Sequence, residues 1–101
     1  MESSTDPIIA TITVPLTFWR DHSWRTSEEY PVGNIIKEGK RTATVAFTQA
    51  EWDNFYSDAD YYADCAQQGE WSRSEDPALW AIGQSAIRAM NAIRKHEEAG
   101  R

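Results

Sequence analysis

The acidic and aromatic segment at residues 48–69, TQAEWDNFYSDADYYADCAQQG, constrains the fold more than any other part of this chain. Thr48 and Glu51 have the spacing of a capping box, the pattern with which many helices begin. Phe47, just before the cap, is placed to pack against Trp52 as a hydrophobic staple. The sequence therefore predicts that a helix begins immediately after Thr48.

A second and weaker helix-start pattern lies inside the same segment. Ser57 is followed by Asp60 at capping-box spacing, and Tyr56 is placed to contact Tyr61. Apolar side chains also recur at helical spacing across the whole segment, at Trp52, Phe55, Ala59, Tyr62 and Ala66. The pattern predicts either one kinked helix or two helices broken near Ser57, with Gly69 as the stop.

The first part of the chain predicts a strand followed by a short helix. Residues 7–14, PIIATITV, alternate and are rich in β-branched side chains, which is typical of a strand in a sheet covered on one side. The covered face is predicted to carry Ile8, Ala10, Ile12 and Val14. Pro15 ends this strand and begins a helix, LTFWRDHSWR, that brings together Phe18, Trp19 and His22.

The remaining elements complete the predicted fold. Residues 30–34, YPVGN, predict a turn, and a hairpin follows with arms at Ile35–Lys37 and Arg41–Phe47, where Gly39 supplies a positive φ at the bend. Asp76 and Pro77 begin a last helix, in which Gly83 allows close packing. The buried stripe of that helix is predicted at Leu79, Ile82, Ala86, Met90 and Ile93.

This order of elements predicts one α+β domain at residues 7–101, preceded by a disordered N-terminal tail at residues 1–6. Its core is a small three-stranded antiparallel sheet. Two or three helices are expected to pack on one face of that sheet.

Composition narrows the classes of partner. The net charge is -6 and the pI about 4.8, which disfavours direct binding to nucleic acid or to an anionic membrane because both need a basic surface. Three basic residues around one turn are too few to form such a surface: Lys37, Lys40 and Arg41. Neither a signal peptide nor an apolar run of roughly 20 residues is present, so we expect a cytoplasmic protein. The single Cys65 excludes an internal disulfide, and no cofactor is predicted.

Four short elements are spaced along residues 8–93. They are an aromatic-x-x-Asp-His element, a basic strand, a Ser-Asp-Ala-x-Tyr-Tyr-x-Asp element and a Ser-Ala-x-x-Ala helix, which fall on Phe18–His22, Lys40–Phe47, Ser57–Asp64 and Ser85–Ala89. Together they resemble a set of short proteins from actinobacteria and their phages. The resemblance implies a phage or prophage origin and a cytoplasmic setting, and it implies no particular activity.

Two arrangements of residues point to chemistry. Asp58, Asp60 and Asp64 with His22 are residue types that bind Mg²⁺ or Mn²⁺, as a metal-dependent hydrolase or nuclease requires. The alternative is that Asp58 and Asp60 stabilise a helix start as acids near its N-terminus. Asp21 beside His22 is a general-base pattern, but residues adjacent in sequence point apart on most elements. The alternative for His22 is a packed, hydrogen-bonded side chain.

A binding surface is the leading functional prediction. Tyrosine and tryptophan are enriched at binding hot spots, and an acidic rim steers a basic partner. The predicted contact residues are Asp58, Asp60, Tyr61, Tyr62, Asp64, Trp71 and His22, with Trp24 or Trp71 as an exposed anchor.

The sequence thus predicts a small non-enzymatic module that binds a host or phage protein. The alternatives are the metal-dependent hydrolase and an acidic DNA mimic that inhibits a nucleic-acid-binding enzyme. A homodimer through the C-terminal helix or an open sheet edge is also compatible with the sequence.

Overall fold

The structure is a computed structural model that describes residues 6–25 and 32–100, apart from the side chains of residues 24 and 25. Its elements are, in chain order, β1 (Ala10–Pro15), α1 (Leu16–Arg25), β2 (Asn34–Glu38), β3 (Thr42–Phe47), α2 (Gln49–Gln67) and α3 (Pro77–Ala99). The strands form an antiparallel sheet in the order β1-β3-β2, and the three helices pack against it. The predicted α+β fold is confirmed. The tail at residues 1–5 and the turn residues Tyr30 and Pro31 lie outside the described residues.

One face of the sheet is covered by the helices. Ile12 lies opposite Val45 in the β1–β3 ladder, and both are buried. Thr11 and Thr13, which alternate with the buried residues of β1, are exposed. Ile8 was expected on the covered face but is 53% exposed. The β1–β3 ladder ends at the pair Ala10 and Phe47, because Phe47 is the last residue of β3 and α2 begins at Gln49.

The β2–β3 hairpin forms with two differences from the expected turn chemistry. Asn34, expected in a turn, is the first residue of β2. The connection between the strands is closed by the Gly39 N–H, which donates to the Thr42 carbonyl at 2.8 Å. This closure does not place Gly39 at positive φ, whereas Gly33 has a φ of 103°. A Cβ at Gly33 would also lie 2.9 Å from the Phe47 ring, so glycine is required there for two reasons.

Helix α2 is one uninterrupted helix. The capping box between Thr48 and Glu51 forms, and the rings of Phe47 and Trp52 lie 5.4 Å apart, as the staple predicts. No helix begins at Ser57, so the second predicted helix start is wrong. The predicted staple between Tyr56 and Tyr61 therefore does not lie at a helix N-terminus. At the other end, the Gly69 and Glu70 N–H groups donate to the carbonyls of the last turn, with Gly69 at a φ of 77°. This is a Schellman ending, and it confirms Gly69 as the stop.

Helix α3 runs antiparallel to α2. The ring of Trp52 near the start of α2 lies 5.4 Å from that of His96 near the end of α3, while Ala66 near the end of α2 faces Gly83. The predicted stripe is buried at Ala86, Met90 and Ile93 and partly buried at Ile82. Leu79 was expected in this stripe but is 39% exposed. It lies one turn before Gly83, and therefore projects past the end of α2.

Gly83 of α3 lies directly against Ala66 of α2, and the variant Gly83→Ala tests this contact. An added Cβ would lie 2.8 Å from the Cβ of Ala66. Overpacking of this kind costs about 1–3 kcal/mol, while alanine gains about 1 kcal/mol of helix propensity over glycine. We therefore expect the free energy of unfolding to fall by about 1 kcal/mol, measured by urea denaturation.

The control for this prediction is Gly100→Ala, whose Cβ would meet only ordinary contacts, the nearest at 3.6 Å. We expect that variant to change stability by less than about 0.5 kcal/mol. Adding Ala66→Gly to Gly83→Ala should restore part of the loss, because it removes the opposing methyl group. A Gly83→Ala protein more stable than the wild type would contradict the close packing.

Candidate functional site

A buried contact between His22 and Asp58 ties α1 to α2. Nδ1 of His22 lies 2.8 Å from Oδ2 of Asp58. Because an ionised carboxylate only accepts hydrogen bonds, Nδ1 carries the proton and donates it. The His22 side chain is fully buried, whereas the Asp58 side chain retains some exposure. The imidazole ring packs 5.2 Å from the Phe55 ring and 5.5 Å from the Trp19 ring, between centroids.

This contact bears on whether His22 is a general base or a packed, hydrogen-bonded side chain. Its partner is Asp58, 36 residues away, and not the neighbouring Asp21, so the Asp21–His22 dyad is not formed. Nε2 of His22 is shielded from solvent and has no hydrogen-bond partner among the described residues. A general base must reach the proton that it removes. The geometry therefore matches the alternative, in which His22 is a packed, hydrogen-bonded side chain.

The Asp-rich part of α2 does not gather metal ligands. Among the described residues, no group of three His, Cys, Asp or Glu side chains is arranged to hold a metal ion. Asp58 turns inward to His22, while Asp60 and Asp64 are exposed. The helix-start alternative for Asp58 and Asp60 is wrong, because both residues lie in the interior of α2.

The outward side of α2 carries an acidic stripe around one exposed ring. We call it the acid–tyrosine face, and its members are Asp53, Ser57, Asp60, Tyr61 and Asp64, all exposed. Their spacing of four, seven, eight and eleven residues places them on one side of a helix, over a length of about 16 Å. Tyr61 is 60% exposed. The face therefore presents a large ring among carboxylates on a regular helix.

The charges of this face are not neutralised within α2. The helix contains five acidic residues and no lysine or arginine. Asp53 accepts a hydrogen bond from the Gln49 side-chain amide at 2.9 Å, and Asp64 accepts one from Gln68 at 2.8 Å. Both donors are neutral, so they orient the carboxylates without cancelling their charge. The carboxylates on either side of Tyr61 therefore meet no cation within α2.

The seven predicted contact residues separate into two groups. Asp60, Tyr61 and Asp64 belong to the acid–tyrosine face. His22 and Tyr62 are buried, and Asp58 and Trp71 are half-buried, so this second group supports the face from beneath. The Tyr62 ring lies 5.5 Å from Tyr61 and 5.6 Å from Trp71. The side chain of Trp24, the other predicted anchor, lies outside the described residues.

Asp53 and Ser57 are the members of the face that sequence reasoning missed, and Asp53 is the charged one of the two. Its spacing from Asp60 and Asp64 is regular only if α2 continues through Ser57. The alternative of two helices broken near Ser57 left that regularity unused. The full capping box at Thr48 and the single glycine stop at Gly69 were the signals for one continuous helix.

Removing the Asp58 carboxylate should destabilise the fold. In Asp58→Ala the buried Nδ1–H of His22 loses its acceptor, and a buried donor without a partner costs about 1–3 kcal/mol. We expect the free energy of unfolding to fall within that range, measured by urea denaturation. Asp58→Asn retains an acceptor oxygen and should lose less.

The matched control is Asp60→Ala, which makes the same change at an exposed site two residues further along α2. It should change stability by less than about 0.5 kcal/mol. Equal losses in the Asp58 and Asp60 variants would contradict a stabilising role for the His22 contact.

Comparisons with known proteins leave the site to be interpreted from its own residues. No protein-family model, no curated protein and no solved structure matches this chain. Within the described ranges, no helix is both long enough and apolar enough to cross a membrane.

Proposed function

We propose that this protein is a small non-catalytic module that binds a basic surface of a protein partner through the acid–tyrosine face of α2. The observation that carries the proposal is the position of Tyr61. Its ring is 60% exposed between Asp60 and Asp64, on a helix held in place from below. A preorganised ring of this kind buries a large area on binding at a low entropy cost.

The support beneath Tyr61 favours a contact role. Tyr62 packs against Phe18 and Trp71, with ring centroids 6.2 and 5.6 Å away. Asp58, one turn before Tyr61 and Tyr62, is held by His22. The backbone that carries Tyr61 is therefore fixed on its inner side. An anchor on a rigid helix loses less conformational entropy than one on a loop.

The chemistry of the acid–tyrosine face indicates the charge of the partner surface. Its carboxylates attract lysine and arginine, and an arginine guanidinium also stacks on a tyrosine ring. Long-range attraction would raise the association rate, and salt would reduce that effect. The partner surface is therefore basic. Following the resemblance to proteins of actinobacteria and their phages, we propose that the partner is a host or phage protein.

The DNA mimic is a narrower form of the same proposal, in which the basic partner normally binds nucleic acid. The carboxylates of the acid–tyrosine face would then occupy the positions of phosphates. What separates the two forms is whether duplex DNA competes for the partner. The metal-dependent hydrolase has no comparable support, because the described residues contain no grouped metal ligands.

The test is an affinity pull-down from an actinobacterial lysate with mass spectrometry, followed by titration of the captured protein with purified variants. We expect Tyr61→Ala to weaken binding by about thirtyfold, as the loss of a hot-spot ring does. Asp60→Lys should slow association and reduce its dependence on salt. Both variants should retain the wild-type circular dichroism spectrum and unfolding midpoint.

The matched controls are Leu79→Ala and Glu97→Lys, an exposed apolar residue and an exposed acid on α3. Neither should affect binding. Unchanged affinity in both Tyr61→Ala and Asp60→Lys would overturn the proposal. Competition by duplex DNA for the captured protein would identify the DNA-mimic form.

A further inference from the structure

A cavity of about 560 Å³ lies where β1 passes into α1, beside the β2–β3 turn and α3. Four cationic side chains line it, and they come from three separate parts of the chain: Arg20 of α1, Lys40 and Arg41 of the turn, and Arg88 of α3. Among the residues that the structure describes, no aspartate or glutamate lines it. The volume is within the range of about 300–1,000 Å³ that is usual for small-molecule sites.

This concentration of positive charge is unexpected in so acidic a chain. The protein has 10 lysine and arginine residues against 16 acidic ones, so carboxylates for ion pairing are abundant. Arg20 lies 3.7 Å from Glu38. Among the described residues, Lys40, Arg41 and Arg88 have no carboxylate within ion-pair distance. Their mutual repulsion is therefore left to solvent or to an anionic ligand.

Neutral donors surround the same cavity. Thr13, Thr17 and Thr42 contribute hydroxyl groups to its lining. The first turn of α1 also lines it and contains no acidic residue, so the positive end of the helix dipole is not offset there. Hydroxyl and guanidinium donors are the groups with which proteins hold phosphate oxygens.

We propose that this cavity binds a small organic phosphate that carries at least two phosphate groups, such as a nucleoside diphosphate. Two phosphates match the three cations that have no ion pair in the described part of the chain better than a single carboxylate or phosphate does. A long nucleic acid is disfavoured, because the net charge of -6 and the acidic α2 would repel it. A small ligand would experience mainly the positive potential of the cavity side chains. This site is separate from the acid–tyrosine face and does not depend on the function proposed for it.

The test is isothermal titration calorimetry of the full chain with pyrophosphate, ADP and adenosine. Pyrophosphate and ADP should bind with one-to-one stoichiometry, and adenosine should not bind. Arg41→Ala and Arg88→Ala should each weaken pyrophosphate binding about tenfold, since each removes a charge-assisted contact. Raising the salt concentration from about 50 to about 200 mM should weaken it further.

The matched control is Arg94→Ala, which removes the same charge from an exposed position of α3 that does not line the cavity. It should change the affinity less than twofold, and so should Tyr61→Ala. Absence of pyrophosphate binding at millimolar concentration would overturn the proposal, as would an equal loss in Arg94→Ala. Single-stranded DNA binding more tightly than pyrophosphate, with the same dependence on Arg41 and Arg88, would replace the small ligand with a nucleic acid.

Discussion

The packing of the Phe55 ring is the interaction on which the rest of this structure depends. The ring is fully buried and lies 5.4 Å from Phe18 of α1 and 5.0 Å from Phe47 of β3. One side chain of α2 thereby joins the first helix, the central strand and its own helix. Asp58 follows three residues later on the same helix, and so reaches His22. Once the inner side of α2 is fixed in this way, helical periodicity alone sends Asp60, Tyr61 and Asp64 outward.

Helix α1 lies between the acidic helix α2 and the basic cavity. His22 of α1 contacts the acidic helix α2, while Arg20, two residues earlier, lines the basic cavity. Since opposite charges are held apart on a rigid frame, each site keeps a local field that the net charge of -6 does not describe. The acidic face would attract a basic partner, and the basic cavity would attract an anionic one. The two proposed sites share no residue, so the proposed protein partner and the proposed small ligand would not compete for the same side chains.

The unpaired sheet edge at β2 bears on self-association. All five residues of β2 are exposed, including Ile35 and Ile36. The register shifts between Ile35 and Lys37, and the strand ends on Lys37 and Glu38. A bulge and edge charges of this kind oppose the pairing of a second strand. The homodimer through a sheet edge predicted as an alternative is therefore disfavoured at β2.

The sequence by itself determined the local elements, because their signals are local. Pro15, the Thr48 capping box, Gly69 and Pro77 specify where helices begin and end through backbone chemistry within a few residues. Alternation in β1 and β3 specified which side chains face the core. Those signals were enough for the α+β fold and for three members of the acid–tyrosine face. Only the tertiary structure decided which distant residues meet: Asp58 with His22, and Arg20 and Arg88 with the basic turn. Sequence periodicity does not specify such contacts, because they depend on how the helices pack on the sheet and on one another. That packing is set by close contacts such as Gly83 against Ala66.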